Sequence, residues 1–229
     1  MSIKENLFEI KENIRLACER AGRSPEEVTL LAVTKTIDAD RINEAVSLGV
    51  TDLGENRVQE FLSKYELIEG DVRWHIIGHL QSNKVKYIAD KVYMIHSVES
   101  LSLANEIERQ CAKLDKVMNI LVEVNVSGEE SKSGITPAET EDFIRQVSRL
   151  PHIRVKGLMT MAPFEAKTEE LHQIFSNLYK ISVDISSKKL DNVIMECLSM
   201  GMTGDYEIAV EEKSTIVRIG TGLFKYRDR

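Results

Sequence analysis

The stretch Thr29-Leu-Leu-Ala-Val-Thr34, followed at once by Lys35, decides how this chain is read. It follows a turn signal, Gly22-Arg-Ser-Pro25, and an acidic patch. A short apolar run rich in Val, Leu and Thr reads as a strand buried on both faces, the kind that parallel sheets use. A buried strand that ends in lysine is a chemical signal. An ammonium in an apolar setting is costly and tends to give up its proton. A neutral amine attacks an aldehyde where an ammonium cannot. The plainer reading is a side chain that emerges into solvent where the strand stops.

Working outward from this strand, the same rhythm repeats. Upstream, Ile3, Leu7, Ile10, Ile14, Leu16, Ala17 and Ala21 carry the apolar period of an amphipathic helix, closed by Gly22. Downstream, Asp38 caps a helix over 39–48, and strands are predicted at 50–53, 73–77, 92–95 and 116–124. The helices between them cover 57–69, a segment from Gly78 to about Ala89, and 99–113. A polar Gly/Ser-rich loop, 125–134, precedes a helix to Leu150, with Pro137 in its first turn. Strands at 153–159 and 192–197 flank a helix over 168–187. Ser199 to Asp205 reads as a tight loop before a short helix, 206–212, and a last strand, 215–219, ends in Gly220-Thr-Gly222.

Eight strands, each followed by a helix or turn, need crossovers and therefore a parallel sheet. The prediction is α/β: a single (β/α)8 barrel over residues 1–229, with no linker to a second domain. An open doubly wound sheet is the alternative, and it would need a reversal of strand order that a sequence does not display.

Bulk properties narrow the function. At 229 residues, 42% hydrophobic and 29% charged, the chain has the makings of a large core. A formal net charge of −7 argues against a general nucleic-acid or membrane-surface binder. No apolar run approaches the roughly 20 residues that a membrane helix requires. The charged N-terminus lacks the apolar core of a signal peptide. Cys18, Cys111 and Cys197 are odd in number and far apart, which argues against a disulfide framework and a zinc pair. Together these point to the cytoplasm.

Barrels of this kind place their chemistry at the C-terminal strand ends. Those ends collect Lys35, Asn56, His75, His79, Glu123–Asn125, Met159–Met161, Ser199–Thr203, Arg218, Gly220 and Thr221. Ser199-Met200-Gly201-Met202-Thr203-Gly204 and Gly220-Thr221-Gly222 look like a phosphate cradle, with small residues, hydroxyls and following helix amides. Tight turns alone would explain either loop. Arg218 alternates away from Val217 and Ile219. It is either a structural ion pair or a permanent cation aimed at a ring nitrogen. An arginine hydrogen-bonds a pyridine nitrogen only while that nitrogen is unprotonated, and such a ring is a poor electron sink. The histidines do not share a helix face and form no metal set, and Cys197 reads as a core residue rather than a nucleophile.

Several stretches in order resemble the YggS/PROSC-type pyridoxal phosphate homeostasis proteins. They are Ala32-Val-Thr-Lys35, Leu53-Gly-Glu-Asn-Arg-Val-Gln-Glu60, Trp74-His-Ile-Ile-Gly-His-Leu-Gln-Ser-Asn-Lys84, Glu123 to Gly134, Gly157-Leu-Met-Thr-Met161, Leu198 to Val210 and Val217-Arg-Ile-Gly-Thr221. The resemblance implies a TIM barrel of the alanine racemase, fold type III kind, without that enzyme's extra β-domain. It implies pyridoxal 5'-phosphate held as a Schiff base on Lys35. Ser199, Met200, Gly201, Thr203, Gly220 and Thr221 would hold the phosphate, Arg218 would face the pyridine nitrogen, and Asn56 would lie near the ring. It further implies a role in cofactor homeostasis without an established reaction, with apo-enzymes that depend on the cofactor as partners. A monomer is expected because no site looks partner-completed. The rival is a racemase, whose second acid/base, typically a tyrosine from an extra domain or a partner chain, has no obvious source here, with Tyr206 and His79 as candidates. Thr203 stands where the family often has serine, and Lys213 and Lys225 stand where glycine is frequent.

Overall fold

Eight parallel strands close on themselves in chain order in the computed structural model, which describes residues 2–129 and 132–224. They are β1 (Thr29–Val33), β2 (Asp52–Glu55), β3 (Arg73–Ile76), β4 (Met94–Val98), β5 (Met118–Glu123), β6 (Ile153–Met159), β7 (Val193–Met202) and β8 (Ile216–Ile219). β1 pairs with both β2 and β8, so the sheet has no free edge and the open alternative falls. Around it run α1 (Ile3–Arg20), α2 (Ala39–Ser47), α3 (Val58–Lys64), α4 (Leu101–Ala112), α5 (Thr140–Val147), α6 (Thr168–Ser187), α7 (Tyr206–Glu211) and α8 (Thr221–Phe224).

Alternation along each strand sorts the side chains into two cores. Ala32, Leu53, Ile95, Ile120, Val217 and Ile219 belong to the large cluster between sheet and helices. Their neighbours Leu31, Val33, Ile77 and Ile216 pack inside the barrel, as do Met94, Leu121 and Met159, with Cys197 between the two groups. Gly54 belongs to the inner set, where a Cβ would lie 2.3 Å from Leu31 Cδ2. α1 opens with a capping box between Ser2 and Glu5 and lies against α7 and α8, where Asn6 Nδ2 donates to the Leu223 carbonyl at 3.0 Å.

Several elements differ from the sequence reading; β2 runs over Asp52–Glu55 instead of 50–53, and α3 ends at Lys64 instead of residue 69. β7 continues to Met202, so Ser199–Met202 is strand rather than loop; β8 supplies partners this far, with Ser199 beside Ile216 and Met202 beside Arg218. β4 starts at Met94 and runs to Val98, which carries His96 into the sheet. Between β3 and β4 a 3-10 helix, Ser82–Tyr87, replaces the expected α-helix. Of the 125–134 loop, residues 130 and 131 lie outside the described residues, as does the tail 225–229 with Lys225. Among the described residues no helix is long and apolar enough to cross a membrane.

Candidate functional site

Lys35 follows β1 on the parity of Leu31 and Val33, the side that faces the barrel axis. It is exposed at the mouth, as in the plainer of the two sequence readings, and not buried. What surrounds it instead is a clamp. Thr34 is fully buried, its amide donates to the Gly54 carbonyl at 2.9 Å, and its hydroxyl donates to Glu55 Oε1 at 2.7 Å. Lys64 Nζ from α3 bridges the Thr34 carbonyl at 2.8 Å and Glu55 Oε1 at 2.7 Å. On the other side, Thr36 takes φ +63°, and its amide donates to Glu60 Oε2 at 3.0 Å. A β-branched residue in the left-handed region stores strain, and the clamp holds that turn in place. The backbone on both sides of Lys35 is therefore fixed while its side chain is open.

Arg218 sits on β8, the strand paired with β1, 4% exposed. Its Nη1 donates to the Ser199 carbonyl at 2.7 Å and to Ser199 Oγ at 2.6 Å, and its Nη2 donates to the Thr160 carbonyl at 2.9 Å. Of five N–H bonds, three are used, leaving Nε–H and the second Nη2–H without a partner among the described residues. Burial lowers its pKa to about 10, against the pull of Asp205 and Glu123, so it remains a cation at neutral pH. Burial likewise raises the Glu123 carboxyl to about 7, helped by repulsion from Glu99.

A cleft of about 370 Å³ lies beside these groups, lined by Lys35, Thr203, Asp205, Arg218, Gly220 and Thr221, with Ala162 and Phe164 on its apolar side. Thr203 and Thr221 face each other, their hydroxyl oxygens 3.3 Å apart, and the Gly222 amide donates to Thr203 Oγ1 at 3.1 Å. The loops after β7 and β8 are thus tied into one rim. Asp205 closes it by accepting from the Met202 amide. Ser199, Met200 and Gly201 are not on this lining: Ser199 lies below it inside the barrel, and Met200 packs into the outer core. Gly201 takes φ +92° where a Cβ would lie 2.6 Å from Ala209, letting α7 approach the strand. Asn56 follows β2 on the inward parity of Gly54, with Oδ1 buried and unpartnered.

The two residues expected to compete for the role of second acid/base are both engaged elsewhere. Tyr206 Oη accepts from Asn13 on α1 at 3.0 Å, and His79 is exposed and bound to Glu99 at 2.9 Å. Cys197 is wedged between the two inner clusters, and burial pushes its thiol up to about 11, as befits a core residue. Sequence reasoning missed Asp52, Glu55, Lys64 and His96. The inner parity of Asp52 with Gly54, and of His96 with Met94, was the available signal. It was lost for His96 because the strand boundary stopped at residue 95.

The sequence model of the alanine racemase N-terminal domain matches residues 6–228. The pyridoxal phosphate homeostasis protein of Aquifex aeolicus is 43% identical over 228 residues, covering 99% of each chain. PipY of Synechococcus elongatus, solved with PLP bound, superposes with a TM-score of 0.85 at 30% identity, covering 98% of this chain and all of its own. Alanine racemase of Clostridium difficile matches with a TM-score of 0.78 at 15% identity, and this chain spans 57% of it, which is a likeness of fold. The extent and order of these matches make the chain a member of the alanine racemase N-terminal domain family and, within it, of the pyridoxal phosphate homeostasis proteins.

Proposed function

We propose that this protein binds pyridoxal 5'-phosphate covalently and reversibly through Lys35, and takes part in cytoplasmic cofactor homeostasis as a carrier or regulator without turnover of its own. The observation that carries the reading is one cleft bringing together Lys35, Arg218 and the paired hydroxyls of Thr203 and Thr221. The residues fit the group. A cleft of about 370 Å³ is within the range of small-ligand sites. Arg218 has donors to spare, and the Asn56 Oδ1 atom is buried without a partner.

When bound, the cofactor supplies an electrophilic aldehyde on an electron-withdrawing ring. Lys35 would supply the amine, and the clamp on Thr34 and Thr36 would fix the direction from which it reaches in. Thr203, Gly220 and Thr221 would hold the phosphate at the rim, with Ser199, Met200 and Gly201 supporting that rim from β7. Asn56 would bind the ring edge. Arg218, a cation with no acceptor, would face the ring nitrogen and keep it unprotonated. That choice retains the aldehyde but weakens the ring as an electron sink. We read residues 1–229 as one functional unit, a monomer, with cofactor-dependent apo-enzymes as the recipients.

The test is an absorbance titration with pyridoxal phosphate. Wild type should saturate with a visible band; Lys35→Ala should show none while its thermal unfolding stays within about 0.5 kcal/mol, because Lys35 is exposed. An unchanged band in Lys35→Ala would contradict the assignment. Incubation with L-alanine should give no D-alanine above the cofactor-only control, and enzymatic turnover in that assay would replace the carrier reading with the racemase.

A further inference from the structure

Below the cleft, polar side chains follow one another through the barrel from its base to Arg218. At the base, Arg73 Nη2 and Thr51 Oγ1 donate to Asp52 Oδ2 at 2.7 and 2.8 Å. Asp52 Oδ1 is 3.0 Å from His75 Nε2, and His75 Nδ1 is 2.9 Å from His96 Nε2. His96 Nδ1 is 3.0 Å from Ser199 Oγ, which accepts from Arg218 Nη1 at 2.6 Å. Asp52, His75, His96 and Ser199 are all buried inside the barrel, where apolar residues would ordinarily pack.

The two ends decide the direction of every bond between them. Arg218 only donates, so Ser199 Oγ accepts from it and is free to direct its hydrogen to His96 Nδ1. His96 then carries its proton on Nε2 and donates to His75 Nδ1. His75 in turn carries its proton on Nε2 and donates to Asp52. Burial pushes the Asp52 carboxyl up, but the bonds from His75, Arg73 and Thr51 outweigh it and hold the group ionised. The reverse polarity would turn the bare His75 Nε2 lone pair toward that carboxylate at 3.0 Å. Burial opposes an imidazolium at His75 and, with Arg73, outweighs the pull of Asp52 toward the charged form; at His96 the charged form is opposed by burial, by His75 and by Arg218. One arrangement of protons satisfies the whole chain.

We propose that Asp52, His75, His96 and Ser199 form a one-way hydrogen-bond relay that locks the Arg218 guanidinium in its cofactor-facing pose. Asp52, His75 and His96 act as positioning residues. With its hydrogen taken by His96, the Ser199 oxygen presents only lone pairs to Arg218. Without His96 the hydroxyl is free to rotate, and its lone pairs are no longer held toward Nη1. The link from relay to cofactor rests on the proposed function above; the proton positions do not.

The experiment has two arms. In cofactor-free wild type, long-range proton–nitrogen NMR of nitrogen-labelled histidines at neutral pH, assigned with His75→Gln and His96→Gln, reads the tautomers directly. Both rings should be neutral with the proton on Nε2; an Nδ1–H tautomer at His96, or an imidazolium at His75, overturns the relay. In the second arm, pyridoxal phosphate affinity is measured for His96→Met and His96→Gln. Met neither accepts nor donates in the required way and should weaken binding about tenfold. Gln offers one acceptor and one donor and should stay within about twofold of wild type. Equal losses in both variants would reduce the role of His96 to packing. If wild type bound no pyridoxal phosphate, the functional reading would fall while the tautomers still reported on the relay.

Discussion

At Glu123 a carboxyl faces the mouth of the barrel with 7% of its surface exposed and a pKa raised to about 7 from the ordinary 4.5. The folded chain therefore keeps a proton that the unfolded chain gives up between those two values. Stability should fall as pH rises through that window, because there the folded state binds more protons than the unfolded one. Glu123→Gln removes the titrating group. Cofactor-free Glu123→Gln should be about 1–3 kcal/mol more stable than wild type above pH 7 and should lose the slope that wild type shows between pH 4.5 and 7. Denaturant melts across that range check it; an unchanged slope would mean that Glu123 is better solvated than its burial implies. Lys35 differs in kind. Its place at the end of β1 was legible from the sequence, but its surroundings were not. The sequence leaves a buried amine and a solvent-exposed one both open, and the fold leaves the side chain open while fixing the backbone around it.

The clamp on the β1–α2 turn is a property of elements rather than of one residue, since β1, β2 and α3 each contribute a side chain. Breaking a buried pair by removing one partner leaves the other charge uncompensated. Glu55→Ala would strand the Lys64 ammonium, 12% exposed, beside the Thr34 carbonyl and a more distant Glu60. A loss of about 3 kcal/mol is expected in denaturant unfolding, with Glu55→Gln losing less because it still accepts from Thr34. No sequence pattern announces this clamp, because Glu55 reads as part of the turn after a strand at 50–53, and Glu60 and Lys64 as a charged helix face, until β2 carries Glu55 into the sheet. Lys213 is the opposite case. Standing where the resembling family frequently has glycine, it takes φ +75° after α7, a conformation that favours glycine. Lys213→Gly should raise stability by about 0.5–1 kcal/mol, measured by thermal unfolding, and a loss would mean that its side chain makes up for the strain.

Over the whole molecule the barrel was legible because most strands fall on or beside short apolar runs bounded by turn residues, and eight such runs joined by crossovers point to a parallel sheet, which closes here. Boundaries failed where tertiary pairing overrode local signals. β8 carried β7 through a glycine-containing segment that reads as a loop, and the two-residue shift of β4 hid His96. That shift is why the polar column inside the barrel escaped notice, since only strand parity brings Asp52, His75, His96, Ser199 and Arg218 into one line. The cleft was more legible than the column, because its residues cluster at strand ends in the sequence. Its parts come from opposite ends of the chain, Lys35 after β1 and Arg218 on β8, and closure of the barrel makes them neighbours. The most direct measurement is borohydride reduction of the protein saturated with pyridoxal phosphate, followed by peptide mass mapping. The added mass should fall on the peptide that holds Lys35, with loss of the visible band; a label spread over surface lysines, or fixed on a peptide without Lys35, would contradict the assignment.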